Sequence, residues 1–395
     1  MTRFAFWSSL LASAVLLGLT VGYRQTFGLF LPAVTGDLGI GREAFGLALA
    51  VMNLTWGLAA PLAGMVADRH GAGRMMAAGA LVYAVGLVGL ATAGSAGQLI
   101  WSGALIGLGL SGAGFTVSLA AAGRLAPETG RTQAIGTVSL GGSIGQFLAL
   151  PVVHLLILGV GWQVGLGWLA ASMALAAGAG LLVRDRISTQ PGSFWGSAGT
   201  AVRDALRVPS FGLLTVGFFV CGFHLAFLVV HLPAFLVDRG LDASVGAVAL
   251  TLIGLANIVG TILFTRAGAR WSRRRVLAGL YLARTVLMGG FVALPVTEVT
   301  VYGFAVLMGL TWLATVPLTS ALVADLFGTA RLSTLFGVVF LGHQLGSFAG
   351  AWFAGAVYDR FGSYDLVWGV SVAIGLAAVG LHLAIRVPET VPQLA

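Results

Sequence analysis

The chain is 395 residues long, 58% hydrophobic and 9% charged, with a mean hydropathy of +0.98; a water-soluble domain carries about 25% charged residues, so a soluble globular protein is excluded. All 21 basic residues are arginine, and the net charge of +8 is spread between apolar runs, which excludes a basic nucleic-acid-binding domain. The single cysteine, Cys221, lies within an apolar run and offers neither a disulfide nor a metal cluster.

In chain order, apolar windows long enough to cross about 30 Å of hydrocarbon fall at 5–36, 43–66, 75–93, 98–122, 133–158 and 162–183. A second series falls at 209–237, 243–267, 276–296, 300–324, 330–357 and 363–386. They predict an all-α membrane protein of twelve transmembrane helices. The first window, behind Arg3, reads as a helix rather than a cleaved leader because further apolar spans follow it. With the N-terminus inside, sixteen arginines share one face and three, Arg42, Arg239 and Arg360, the other, while Arg24 and Arg284 fall within helices. That bias predicts both termini cytoplasmic, and the expected location of the multi-pass chain is a bacterial inner membrane.

The longest polar stretch divides the chain into 1–183, a linker at 184–208, and 209–395. The halves repeat at an offset of 201 residues: Pro32, Asp37 and Gly39 map onto Pro233, Asp238 and Gly240, and Gly136, Gly141, Gly145 and Gly161 onto Gly337, Gly342, Gly346 and Gly362. Six helices is an even number, so both halves enter the membrane in the same sense. This is a parallel repeat with its pseudo-two-fold axis along the membrane normal.

Residues Gly64–Gly71, with Asp68 and Arg69, followed by Arg74, resemble the loop between helices two and three of the major facilitator superfamily. The resemblance implies a cytoplasmic gate in which Asp68, Arg69 and Arg74 latch neighbouring helices. The copy at 268–274 keeps its arginines but has Ala269 opposite Asp68, and is expected to be a solvated edge. Gly22–Phe30, Tyr358–Asp365 and the stretch from Gly123 to Gly136 look like the monocarboxylate porter family. These resemblances imply the major facilitator fold, two six-helix bundles with helices one, four, seven and ten lining a substrate path.

Polar side chains at mid-membrane depth are expensive, so each is a site candidate. The substrate-binding candidates are Arg24 with its neighbours Tyr23 and Gln25, then Asn53, Gln146, His224, Asn257, Trp312, His343 and Gln344. Arg24 is the sharpest signal: no Asp or Glu lies near mid-membrane, so an anionic substrate is expected to supply the partner through the guanidinium fork. Arg284, on helix nine, is expected to be structural. His224, His231 and His343 are the candidates for moving protons, His224 foremost, because only histidine titrates near neutral pH. Gly141/Gly145 and Gly342/Gly346/Gly350 are small-xxx-small faces expected to pack helices closely. The eukaryotic monocarboxylate carriers place an aspartate and an arginine on helix eight, where this chain has Asn257 and Thr261.

The expected function is secondary active transport of a small organic anion, monocarboxylate-like, by alternating access, with proton coupling left open. The alternative is a drug/proton antiporter-type exporter of a neutral or cationic compound, with Arg24 structural. No nucleophile–base pair, cofactor motif or ligand cluster stands out, so neither enzymatic activity nor a cofactor or metal is expected. The expected partners are the substrate, protons and the bilayer, with no nucleic acid, around a monomeric protein.

Overall fold

The structure, a computed structural model, describes residues 3–126, 131–184, 200, 202–328 and 332–387. Most of the 184–208 linker, with Arg186, and also Arg331 lie outside the described residues. Among the described residues twelve long helical spans follow one another: α1 (Arg3–Leu38), α2 (Arg42–His70), α3 (Ala72–Ala91), α4 (Ala96–Leu125), α5 (Arg131–Val160) and α6 (Trp162–Gly180). Then come α7 (Pro209–Asp238), α8 (Ala243–Arg270), α9 (Arg273–Ala293), α10 (Glu298–Phe327), α11 (Leu332–Phe361) and α12 (Asp365–Ala384). Eleven are long and apolar enough to cross a membrane, and α6, at 19 residues, reaches about 28 Å at 1.5 Å per residue. Helices are the expected solution because hydrocarbon leaves every backbone N–H and C=O to be satisfied within its own segment.

The repeat is visible in the backbone. Gly39 and Gly240, and Gly161 and Gly362, all have positive φ, between 61° and 81°; the left-handed conformation strains any residue with a Cβ, so equivalent helix ends stop in the same way. Pro32 and Pro233 lie inside α1 and α7. The fourth span of each half is also broken: α4 stops at Ala113 and resumes at Phe115, and α10 stops at Thr311 and resumes at Thr315.

By contacts the chain forms two compact units, residues 1–190 with 229–251, and 191–228 with 252–395. In the first unit α5 lies directly against α1. A Cβ on Gly22 would stand 2.6 Å from the carbonyl oxygen of Gly145, and one on Gly18 2.8 Å from that of Gly141. The outer part of α7 closes on α1 in the same way, since a Cβ on Gly28 would collide with the carbonyl of Val229. In the second unit α11 repeats the arrangement on α7, with Gly346 against the Phe219 carbonyl and Gly350 against that of Phe223. These are the small-residue faces read from the sequence, and backbones approach this closely only where side chains are absent. In the turn before α8, the Asp242 carboxylate accepts from the Ser244 amide at 2.8 Å, and hydrogen bonds from the Ser244 side chain and amide hold it below the usual carboxylate range.

Candidate functional site

In the first unit, α1 presents Arg24 to α2. Its Nη2 donates to Asn53 Oδ1 at 2.9 Å, and its guanidinium lies over the Trp56 ring, 5.1 Å from the centroid. Asn53 is pinned in turn, donating Nδ2 to the Leu49 carbonyl at 2.8 Å. The break in α4 adjoins this group, because a Cβ on Gly114 would stand 3.8 Å from Trp56 Nε1. Arg24 is partly exposed, has no carboxylate partner among the described residues, and leaves Nε without a hydrogen bond. A cation held by an amide oxygen and an indole face is left with Nε as an unused donor.

Of the two neighbours of Arg24, Tyr23 is engaged elsewhere and Gln25 is not. The Tyr23 hydroxyl bonds Ser172 Oγ on α6 at 2.7 Å. Gln25 is buried with Nε2 unpaired, and Gln146 is buried on α5.

In the second unit the polar residues converge on the break in α10. Arg284 is fully buried. Its Nη2 donates to the carbonyls of Thr311 and Trp312, and its Nη1 contacts Cys221 Sγ at 3.2 Å. Cys221 also touches Thr315 Oγ1 at 3.2 Å. From α8, Asn257 Oδ1 accepts the Leu313 amide at 2.9 Å and the Thr261 hydroxyl at 3.2 Å. Breaking a helix inside a membrane frees backbone groups that need partners, and here α8 and α9 supply them through Asn257 and Arg284. Asn257 and Trp312, expected to meet substrate, thus serve the break through the side chain of one and the carbonyl of the other. Arg284 has the structural role expected for it.

His224 Nε2 donates to the Ser371 carbonyl of α12 at 2.9 Å, and the ring is fully buried. Its repeat equivalent is Tyr23, which reaches α6 in the same manner, so this position serves packing against the sixth helix of each half. The His224 side chain is thereby turned toward α12. His231 is fully buried. His343 Nδ1 donates to Gln344 Oε1 at 3.1 Å, its ring stacks on Phe340, and Nε2 is buried without a partner.

The expected gate is partly rearranged. Asp68 accepts from Arg124 Nη1 of α4 at 2.7 Å, while Arg69 and Arg74 are exposed and pair with no carboxylate among the described residues. The second copy is not merely a solvated edge, since Arg273 bridges to Asp325. Asp325 is the repeat equivalent of Arg124, so that position carries an ion pair in both halves with opposite sign, to partners that are not themselves equivalent. At the opposite helix ends, Arg42 grips Asp238 through two bonds of 2.6 and 2.7 Å. Sequence reading passed over Arg124, Asp325, Cys221, Thr315 and Ser172, although the offset of 201 links Arg124 to Asp325 and, through Tyr83 and Thr20, Arg284 to Cys221. Tyr83 indeed donates to the Thr20 carbonyl at 3.3 Å.

A profile of the Major Facilitator Superfamily matches residues 10–351 and, in a second match, 249–394. The uncharacterized MFS-type transporter YcxA of Bacillus subtilis is 27% identical over 42% of this chain and 42% of its own length. Monocarboxylate transporter 13 of Bos taurus is 27% identical over 70% of this chain and 66% of its own length. The chain thus spans less than two thirds of either relative. The uncharacterized MFS-type transporter YhjX of Escherichia coli is 22% identical over 86% of this chain and 85% of its own length. Two solved structures share the fold: the nucleoside transporter NupG, with a TM-score of 0.80 and 14% identity over 96% of this chain and 99% of that one; and a bacterial homolog of the human lysosomal transporter Spinster, with a TM-score of 0.73 and 16% identity over 97% and 95%.

Proposed function

The chain belongs to the major facilitator superfamily, and on that premise we propose that it moves a small organic anion, monocarboxylate-like, across a bacterial inner membrane by alternating access, with Arg24 as the anion-binding group. One observation carries this reading: Arg24 is a permanent cation within a membrane-spanning helix, held by Asn53 and Trp56 without a carboxylate among the described residues. The name of the bovine relative supports the substrate class. Six helices on either side of the 184–208 linker form the two moving bundles, with both termini cytoplasmic, following the arginine bias.

The substrate moves with a proton. Every described Asp and Glu lies at a helix end or in a connection, which leaves the proton to a histidine, the substrate's own carboxyl group or water. His343, with a buried and unpartnered Nε2, is a better carrier than His224, whose ring is committed to α12.

The test is uptake of labelled hydroxy- and keto-acids into proteoliposomes. Wild type is expected to accumulate the anion and Arg24→Ala to lose uptake while remaining folded. Arg24→Lys should recover little, because an ammonium keeps the charge but not the bidentate fork. An inward proton gradient should stimulate wild type and not His343→Gln. Full uptake by Arg24→Ala sinks the anion reading and leaves a neutral substrate.

A further inference from the structure

The two copies of the loop between the second and third helices of each half differ in charge. Residues 67–74 hold Asp68, Arg69 and Arg74; the equivalent residues 268–275 hold Arg270, Arg273, Arg274 and Arg275 and no acid. Of these four, Arg273 is taken by Asp325 and Arg274 by the carbonyl of Ile385. Arg270 and Arg275 are exposed and have no carboxylate partner among the described residues.

The same segment walls a cleft of about 310 Å³, lined by Gly268 through Arg274, Leu322, Asp325 and Val387. Its one acid, Asp325, is already neutralised by Arg273, so the cleft presents net positive charge. Trp271, in its wall, is 69% exposed. An exposed indole at the end of a membrane-spanning helix is at home at headgroup depth. Arginines beside it at that level are drawn to the negative charge of an anionic lipid headgroup.

We propose that this cleft binds the headgroup of an anionic phospholipid from the surrounding bilayer. Arg270 in the wall and Arg275 beside it meet the phosphate, and Trp271 lies along the glycerol and upper acyl region. The source is a lipid rather than free phosphate because the charge adjoins apolar surface from Trp271 and Val387, which is 41% exposed. The proposal is independent of what the protein transports and of Arg24.

The experiment is native mass spectrometry of the full chain in detergent, titrated with phosphatidylglycerol, phosphatidylcholine or inorganic phosphate. Wild type is expected to retain phosphatidylglycerol over phosphatidylcholine by roughly tenfold or more, from two arginines at the surface. Arg270→Gln/Arg275→Gln should lose most of that preference, with the melting temperature in the absence of lipid unchanged. If the double variant does not survive purification, Arg270→Gln alone is measured in the same way. Full preference retained in the variant measured, equal binding of the two lipids by wild type, or competition by inorganic phosphate as strong as by phosphatidylglycerol overturns the proposal.

Discussion

Two arginines, Arg24 and Arg284, lie more than two turns from either end of their membrane-spanning helices, and their surroundings give them different work. Arg284 satisfies two carbonyls at the α10 break; replacing it with leucine strands both, at about 1–3 kcal/mol per unpaired buried group. We predict that Arg284→Leu lowers the melting temperature sharply in detergent, whereas Arg24→Ala, which frees only the Asn53 amide oxygen and an indole face, leaves it near wild type. A melting curve that drops for Arg24→Ala and not for Arg284→Leu would reverse the two assignments. The sequence marked both arginines as costly at their depth but could not separate them. Depth is legible from hydropathy, whereas the partner depends on which way the helix face turns. For Arg284 the partners are Cys221 and backbone carbonyls, groups that no motif announces.

Among the helices, α1 with α5 and α7 with α11 form close pairs at repeat-equivalent positions, and glycine makes them possible. Gly145 faces the backbone of Gly18, whereas Gly136 has nothing within 4 Å. We predict that Gly145→Val destabilises by at least about 1–3 kcal/mol, the usual effect of overpacking, read as a lower melting temperature or loss of monodisperse protein. Gly136→Ala should be neutral or slightly stabilising, because alanine restricts the unfolded chain more than glycine does. Equal loss from both substitutions would count against the packing account. Both glycines recur at the offset of 201, so recurrence alone does not separate a contact glycine from a spare one.

Across the whole molecule, ion pairs tie helix ends: Asp68–Arg124, Arg273–Asp325 and Arg42–Asp238. The last joins the start of α2 to the end of α7 through two short bonds. A partly exposed pair of this kind contributes about 1 kcal/mol, enough to bias an opening equilibrium roughly fivefold. Arg42→Gln should therefore speed amide hydrogen exchange at the adjoining ends of α2 and α7, and the reversal Arg42→Asp/Asp238→Arg should restore protection; unchanged exchange in Arg42→Gln would mean the pair holds nothing shut. The arginine bias carries a separate prediction, that a reporter active only in the periplasm and fused after Ala395 stays silent. Activity there would invert the orientation.

Taken by itself, the sequence determined the number of spans, the parallel repeat and the place of the superfamily loop at Asp68. These follow from quantities that add up along the chain: the hydrophobic length of each segment against a bilayer, and residues recurring at one offset. Only the tertiary structure decided the partners. It gave Asp68 to Arg124 rather than to Arg69 or Arg74, turned His224 onto Ser371 of α12, and drew Asn257 and Arg284 to the break in α10. A hydrogen bond in a helical membrane protein depends on the rotation of each helix about its axis. That rotation is set by the packing of small-residue faces between segments far apart in the chain, which hydropathy and spacing do not encode.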